Sequence, residues 1–365
     1  MRREIDRLDD FDDHVGATGS LAGSVLQGLD LRDRTLVLRQ VDVAGAIVLG
    51  CDIEPAGLEA LHVGGAVVHP RLTDTPFRAY RTHLYTPDEL FAGYTPGSPD
   101  GWSETFDQRV YRWSRRDSSL VDALAKRIHD TAIDDALAEL LASYGRSQVV
   151  AIMGGHGLAR GDGHYRDVAV VSRDLTRRGH LVASGGGPGA MEATNLGGWL
   201  AGHDDDALDD ALSMLAEAPG FEPTGAWLDT AFAVCERFPQ PPRASVSLGI
   251  PTWHYGHEPP NVFATAIAKY FDNSIREDGL LAIATGGVVF APGSAGTVQE
   301  VFQDAAQNHY ESFGPPSPMV FLGTKFWTET VPVYPLLRRL AADRSYLELL
   351  GCYDEPRDIV DHLDR

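Results

Sequence analysis

The stretch TGGVVFAPGSAGTVQE, residues 285–300, decides the fold that this sequence predicts. Its apolar run at 288–290 fits a short buried strand, and a glycine-containing turn at 292–297 follows. Beyond the turn, apolar residues recur at helical spacing, namely Val298, Val301, Phe302 and Ala305. A strand that passes through a glycine turn into a helix is typical of an α/β sheet. The N–H groups at the start of such a helix attract an anion.

The turn itself predicts contacts to a phosphate or ribose, because glycine lets the backbone approach a ligand closely. The residues predicted to make these contacts are Pro292, Gly293, Ser294, Gly296 and Thr297. Thr297, Glu300 and Asp304 share a helix face distinct from the apolar one, so Glu300 is expected to face the occupant of the turn. The alternative is structural, because Thr297-x-x-Glu300 is also the pattern of a capping box.

A second turn of the same kind, SGGGPG at 184–189, lies between a predicted strand and a predicted helix. Ligand contacts are predicted from Gly185, Gly186, Gly187, Gly189, Met191 and Glu192. Two further loops follow predicted strands, at 154–157 and 251–257. Right-handed crossovers bring such loops to one end of a parallel sheet. The sequence therefore predicts a doubly wound α/β fold, with a mostly parallel sheet flanked by helices and a ligand crevice between the loops.

Residues 1–145 are predicted to form a separate accessory region of short strands followed by helices, and 146–365 the α/β domain, with a helical insertion near 204–237. The strands predicted in the accessory region are residues 35–38, 46–49 and 66–68. The segment 29–53 resembles a β-solenoid repeat, but the period is not kept. In the α/β domain, a long helix is predicted at 261–277.

Composition narrows the function classes. Lys plus Arg is 31 and Asp plus Glu is 52, a formal charge of −21 that disfavours nucleic acid as a partner. The absence of a long apolar stretch or an apolar leader predicts no membrane contact, and three scattered cysteines favour the cytoplasm. No metal or other cofactor is predicted, because the histidines lack ligand spacing; they include His156, His164, His254 and His257.

Two motifs together resemble the LOG (LONELY GUY) family. They are SGGGPGAMEATNLGG at 184–198 and PGSAGTVQE at 292–300. The family pattern PGGxGTxxE is matched except that Ser294 replaces the second glycine. Its upstream arginine is best matched by Arg276, where the family's Arg-Lys pair becomes Arg276-Glu277. The resemblance covers residue 149 to the C-terminus, and the additional regions are similar to those of larger bacterial relatives.

The resemblance implies a modified Rossmann fold, a homodimer, and hydrolysis of a nucleoside 5′-monophosphate to free base and ribose 5-phosphate. The substrate would be a cytokinin riboside monophosphate or an ordinary purine or pyrimidine nucleotide. Glu300 would stabilise an oxocarbenium-like sugar and orient water, and Arg276 would orient Glu300 or help to protonate the base. The predicted base contacts are Gly154, Trp253, His254 and Tyr255, with a packed loop as the alternative for the last three.

Two other functions stay open at the level of sequence. The first is a nucleotide-binding sensor without turnover, which Ser294 and Glu277 permit. The second is an NAD(P)-dependent oxidoreductase. It is less favoured because the turn at 185–189 lacks G-x-G-x-x-G spacing with an acidic residue roughly 20 positions on.

Overall fold

The structure is a computed structural model that describes residues 3–72, 74–98, 101–240, 246–255 and 258–364. The chain divides into two compact units. The first comprises Met1–His83 and Arg115–Ala138, and the second comprises Leu84–Ser114 and Glu139–Arg365. The boundary predicted at 145 is therefore displaced, because residues 84–114 group with the α/β domain.

The first unit is built on a parallel sheet of four strands that follow one another in chain order. Its elements are β1 (Glu4–Ile5), α1 (Leu8–Thr18), β2 (Val25–Gln27), α2 (Thr35–Leu38), β3 (Ile47–Leu49), α3 (Pro55–Val63) and β4 (Val67–His69). Glu4 pairs with Val25, Val25 with Ile47, and Ile47 with Val67, so the strands recur roughly every 21 residues, as in a solenoid.

The structure corrects two predictions for this unit. The repeat period is kept, and residues 35–38 form the helix α2 rather than a strand. The run TLVL is too short for periodicity to distinguish the two structures. Each coil needs a segment that leads back to the next parallel strand, and α2 lies in that segment. Leu38 from α2 and Val48 from β3 are buried in the same core.

The chain enters the second unit through α4 (Pro87–Leu90) and α5 (Phe106–Ser114), and then forms α6 (Leu120–Leu141), most of which belongs to the first unit. Two contacts within the second unit explain why 84–114 groups with it. Tyr85 exchanges backbone hydrogen bonds with Ile267, each 2.9 Å long. Asp107 and Lys269, both 1% exposed, form an ion pair of 2.5 Å.

The second unit contains a seven-stranded parallel sheet with helices between its strands. Its strands are β5 (Val149–Met153), β6 (Leu181–Ser184), β7 (Ser247–Gly249), β8 (Ala266–Ile267), β9 (Gly287–Phe290), β10 (Met319–Leu322) and β11 (Leu350–Tyr353). Its remaining helices are α7 (Gly163–Arg177), α8 (Ala190–Leu200), α9 (Asp206–Leu215), α10 (Thr224–Arg237), α11 (Asn273–Ile283), α12 (Ala295–Tyr310), α13 (Val333–Leu340) and α14 (Pro356–Leu363).

The strand order, β11-β10-β9-β5-β6-β7-β8, confirms the doubly wound α/β fold. The chain moves outward from β5 to β8 and then returns to β9, on the other side of β5. The direction in which the chain adds strands to the sheet therefore reverses between β5 and β9. The loops that leave these two strands diverge there. Such a reversal is where doubly wound sheets bind ligands.

The prediction of a helix at 261–277 is wrong. The segment contains β8, and α11 begins only at Asn273. Asn261 bends the chain before β8, because its side-chain Oδ1 accepts from the N–H groups of Phe263 and Ala264, at 3.1 and 3.2 Å. In the part of the chain that the structure describes, no helix is long and apolar enough to cross a membrane.

Candidate functional site

Four loops meet at the carboxyl end of the parallel sheet, as predicted. The N–H of Gly155, after β5, donates to the carbonyl of Pro292, after β9, at 3.1 Å. The carbonyl of Gly155 accepts from the N–H of Ala190, which follows the loop after β6, at 3.1 Å. The segment after β7 joins them, because the N–H of Asn261 donates to the carbonyl of Gly186 at 2.9 Å and the Pro251 ring lies 2.8 Å from the position of a Cβ on Gly186. All four predicted loops therefore border one region.

The loop at 184–189, here called the first glycine loop, is buried. A Cβ on Gly189, where φ is +68°, would lie 2.5 Å from the carbonyl oxygen of His156. A Cβ on Gly186, where φ is +72°, would lie 2.8 Å from the Pro251 ring. Only glycine fits such close backbone contacts and positive φ angles. The glycines of the first loop therefore hold the other loops together.

The turn at 292–297, the second glycine loop, is more open. Ser294 and Gly296 are exposed, and a Cβ added to Gly296 would meet nothing within 4 Å. Gly293 is tighter, since its own Cβ would lie 3.0 Å from the N–H nitrogen of Gly155. Helix α12 begins at Ala295 with Ser294 as its N-cap. Its first N–H groups have no acceptor within the helix, so this exposed end suits an anion.

The helix start also excludes the capping-box alternative. That alternative requires Thr297 at the N-cap, whereas Thr297 is the third residue of α12 and Ser294 is the N-cap. Glu300 is therefore one turn further into α12 than a capping-box glutamate would be.

Arg276 lies against the first glycine loop and acts electrostatically on Glu300. Its Nε donates to the carbonyl of Ile250 at 2.9 Å, and its guanidinium occupies the space where a Cβ on Gly185 would be. Burial raises the pKa of Glu300 to about 7. The Arg276 guanidinium acts to lower that pKa, and the Glu277 carboxylate acts to raise it. Glu300 is therefore a partly buried acid near both charges, with a pKa suited to proton transfer at neutral pH.

Asp304, one turn after Glu300, has a different environment. It is 2% exposed, and burial raises the pKa of its carboxyl to about 8. Its Oδ2 has no hydrogen-bond partner among the described residues. It lines a small cavity together with Arg146, Thr285 and Asn308, near the end of α12 and before β9. Asp304 therefore faces this cavity rather than the loops.

Glu192 is a structural residue, so its prediction as a ligand contact is wrong. Its carboxylate is fully buried and accepts from Nε and Nη2 of Arg160, at 2.9 and 2.5 Å, and from the hydroxyl of Tyr165, at 2.9 Å. Arg160 also donates to the carbonyls of Ala218 and Trp227, at 3.2 and 3.1 Å. This cluster fastens the helical insertion to α8, which is why Glu192 is buried.

Trp253 is also a core residue and not a base contact. It is 1% exposed, and its Nε1 donates to Oδ1 of Asp107 at 2.9 Å. Its ring packs against Phe271 and Tyr85, with centroid distances of 4.5 and 5.8 Å. No local pattern reveals this role, because the partner Asp107 lies far from Trp253 in the sequence.

The other predicted base contacts divide between packing and exposure. A Cβ on Gly154 would lie 2.6 Å from Cβ of Ala190 and 3.0 Å from Cβ of Ala291, so Gly154 permits close packing of α8. His254 and Tyr255 are exposed, and their rings meet edge to face at 4.8 Å. Gly256 and His257, the rest of that predicted loop, lie outside the described residues.

Three residues that the sequence did not combine line the far side of the first glycine loop. Met191 Sδ lies 2.5 Å, and Met191 Cε 2.9 Å, from the positions that a Cβ would take on Gly185 and Gly187. Glu258 Oε2 lies 3.7 Å from the same point on Gly187. Glu258 Oε1 lies 3.3 Å from Nδ1 of His156. No local motif joins His156 to Glu258, because only the fold brings their loops together.

Comparisons with known proteins identify no family. No family model matches the chain, and no curated protein matches it. Among solved structures, the chain is similar to the molybdenum cofactor binding protein from the phototrophic bacterium Rippkaea orientalis, with a TM-score of 0.38 and 11% sequence identity. The match covers 59% of this chain and 94% of that one. A TM-score this low does not bear on function, and the fold rests on the sheet itself.

Proposed function

We propose that the crevice between the loops binds a nucleoside 5′-monophosphate and hydrolyses its N-glycosidic bond, giving the free base and ribose 5-phosphate. The observation that carries this proposal is that the Glu300 carboxyl lies within the electrostatic influence of Arg276 at the reversal point of the sheet. Glu300 has a pKa raised to about 7, and Arg276 lies against the first glycine loop. The resemblance of the two motifs to the LOG family supports the same reaction.

The phosphate would bind at the start of α12. The N–H groups of the first turn and the hydroxyls of Ser294 and Thr297 are donors for phosphate oxygens. A chain with a net charge of −21 needs such local positive potential to hold an anion. Arg276 is the cation that lowers the pKa of Glu300, and it would also balance the charge of the bound nucleotide.

In the reaction, the bond between C1′ and the base nitrogen breaks, and its electron pair goes to the base. The sugar becomes oxocarbenium-like, and the ionised carboxylate of Glu300 stabilises this positive charge. A water oxygen forms the new bond to C1′, the water proton goes to Glu300, and the base takes a proton from solvent. Arg276 orients Glu300 and lowers its pKa, so that a useful fraction is ionised at neutral pH.

The test is base release from AMP, CMP and a cytokinin riboside monophosphate, compared between the wild type and Glu300→Gln. We expect kcat to fall by about 10²-fold or more, since a positioned base contributes about 10²–10⁴-fold. In the wild type, kcat should rise from pH 5 to pH 8, because Glu300 must be ionised and its pKa is about 7.

Glu348→Gln is the matched control, because Glu348 is exposed and precedes β11, at the opposite end of the sheet from the loops. Its activity should equal that of the wild type. Full activity in Glu300→Gln, or a flat pH profile in the wild type, would remove Glu300 from the mechanism.

A sensor without turnover is the second candidate, and one contact favours it. Glu277 acts to raise the pKa of Glu300, which works against the ionised base that hydrolysis needs. Thermal stabilisation by AMP without any release of adenine would support this function over hydrolysis. Assembly as a homodimer and a cytoplasmic location stay predictions.

A further inference from the structure

Beyond Arg276, a second pair of polar side chains lies near the first glycine loop. Met191 spans this distance, since its sulfur approaches the Cβ position of Gly185, where the Arg276 guanidinium lies, and its methyl group approaches that of Gly187. Glu258 borders the same point on Gly187. The order along the loop is therefore Arg276, Met191 and Glu258.

His156 holds Glu258 at the end of this row. Its Nδ1 lies 3.3 Å from Glu258 Oε1, and its ring contacts Phe221 edge to face, with a centroid distance of 6.2 Å. Glu258 is 21% exposed and His156 is 52% exposed at the side chain, so both can be reached from solvent. An apolar thioether next to an anchored carboxylate and an aromatic edge forms a surface for a flat, polar ring.

Given the proposed function, on which this inference rests, we infer that Glu258, positioned by His156, accepts a hydrogen bond from an exocyclic amino group of the substrate base. The protein therefore selects bases that carry an amino group, adenine or cytosine, over their oxo counterparts, hypoxanthine or uracil. With the phosphate at α12 and C1′ beside Glu300, the base extends over Met191 and presents its edge to Glu258.

The chemistry of the carboxylate gives the direction of this selectivity. An ionised carboxylate only accepts hydrogen bonds, and its several lone-pair positions let it accept from a ligand as well as from His156. Adenine and cytosine offer an amino donor, whereas hypoxanthine and uracil offer a carbonyl oxygen at the same position. Two acceptors facing each other leave both unsatisfied, so a site of this kind rejects the oxo base.

The experiment compares the wild type with Glu258→Gln on two substrate pairs, AMP against IMP and CMP against UMP. It measures kcat and KM for base release, and the dissociation constants of all four nucleotides and of ribose 5-phosphate by thermal shift. The wild type should favour the amino member of at least one pair by about tenfold or more. The glutamine amide can donate to a carbonyl oxygen, so the variant should lower this preference by about tenfold.

Ribose 5-phosphate separates a base contact from a phosphate contact, because it has the sugar and the phosphate but no base. Its affinity should be unchanged in Glu258→Gln. His156→Ala keeps the Glu258 carboxylate but removes the imidazole beside it, and should weaken AMP binding without improving IMP and without lowering the melting temperature of the free protein. The exposed control Glu348→Gln should keep the wild-type preference.

Three results would overturn the inference: equal use of amino and oxo bases by the wild type, an unchanged preference in Glu258→Gln, or weaker binding of ribose 5-phosphate by that variant. Failure of the proposed function looks different, because no nucleotide would then release its base. In that case the ratio of AMP to IMP dissociation constants, in the wild type and in Glu258→Gln, still decides whether Glu258 recognises the amino group.

Discussion

The two glycine loops look alike in sequence and differ in structure. Both follow a buried strand and precede a helix, at 184–189 and at 292–297. The first is buried against neighbouring backbone, and a Cβ on Gly189 would lie 2.5 Å from a carbonyl oxygen. The second leaves Gly296 with open space around its Cβ position. A glycine run can thus be required by close backbone packing, as at Gly189, or occur where the backbone is open, as at Gly296.

The helices behind the two loops repeat this difference. On α8, Glu192 is buried and is satisfied by Arg160 and Tyr165. On α12, burial raises the pKa of both Glu300 and Asp304. The carboxylate of α8 therefore stabilises the fold, whereas α12 combines an open anion site with carboxyl groups that destabilise the fold when they ionise.

The largest effect is expected from removing the partner of Glu192. Arg160→Met keeps an apolar stem but leaves a buried carboxylate unpaired, which should cost about 3–5 kcal/mol of unfolding free energy in a urea titration. The matched control is Arg166→Met, because the ion pair of Arg166 with Asp209 has exposures of 51% and 62% and should contribute about 0–1 kcal/mol. Equal losses of unfolding free energy in the two variants would mean that the Glu192 carboxylate does not depend on Arg160.

A smaller effect should distinguish the loops directly. Gly189→Ala forces a Cβ into a contact of 2.5 Å at a φ of +68°, and should destabilise the protein by about 2–4 kcal/mol. Gly296→Ala places a methyl group in open space within the first turn of α12 and should stabilise by about 0.5–1 kcal/mol. Chemical denaturation measures both. The comparison fails if the two substitutions have the same sign.

The smallest effect concerns pH. The folded-state pKa of Asp304, about 8, exceeds the ordinary value of 3.8, so the folded protein binds this proton more tightly than the unfolded chain. Stability should therefore fall as the pH rises from about 4 to about 8. Asp304→Asn should make that decline smaller, leaving the part due to Glu300, and gain on the order of 1–3 kcal/mol at pH 9, with little change at pH 4.

Urea titrations at pH 4, 6 and 9 follow this decline. Asp343→Asn, a change at an exposed position, is the control and should leave the pH profile as it is in the wild type. A parallel profile for Asp304→Asn and the wild type would show that Asp304 ionises normally in the folded protein.

The α/β domain was predictable because its central strands are buried on both faces. Continuous apolar runs identified β5, β9 and β10, and the first glycine turn identified the start of α8. The start of α12 was placed too late, because the helix begins at Ala295, inside the turn predicted at 292–297. Helical periodicity at 261–277 gave a wrong prediction. Some of the apolar residues in this segment lie in a turn held by Asn261, and others lie in the strand β8. A hydrophobic pattern reports burial, and it does not by itself report which element is buried.

The site was only partly predictable, because the role of each residue depends on a distant partner. Local motifs suggested both Glu192 and Glu300, and the two differ because Arg160 approaches one and Arg276 the other. Trp253 is predicted to stack on the base, whereas in the structure its ring nitrogen donates to Asp107 in the core. Contacts of this kind join residues far apart in the chain, where no spacing rule applies.

The placement of 84–114 in the α/β unit has a practical consequence for dissecting this protein. The polypeptide passes from one compact unit to the other, returns, and passes again, so a single cut does not separate them. Truncation at 145 would remove Asp107 and leave the buried ammonium group of Lys269 without this carboxylate. Catalytic work on an isolated fragment would then measure the damage of the excision instead of the chemistry of the crevice.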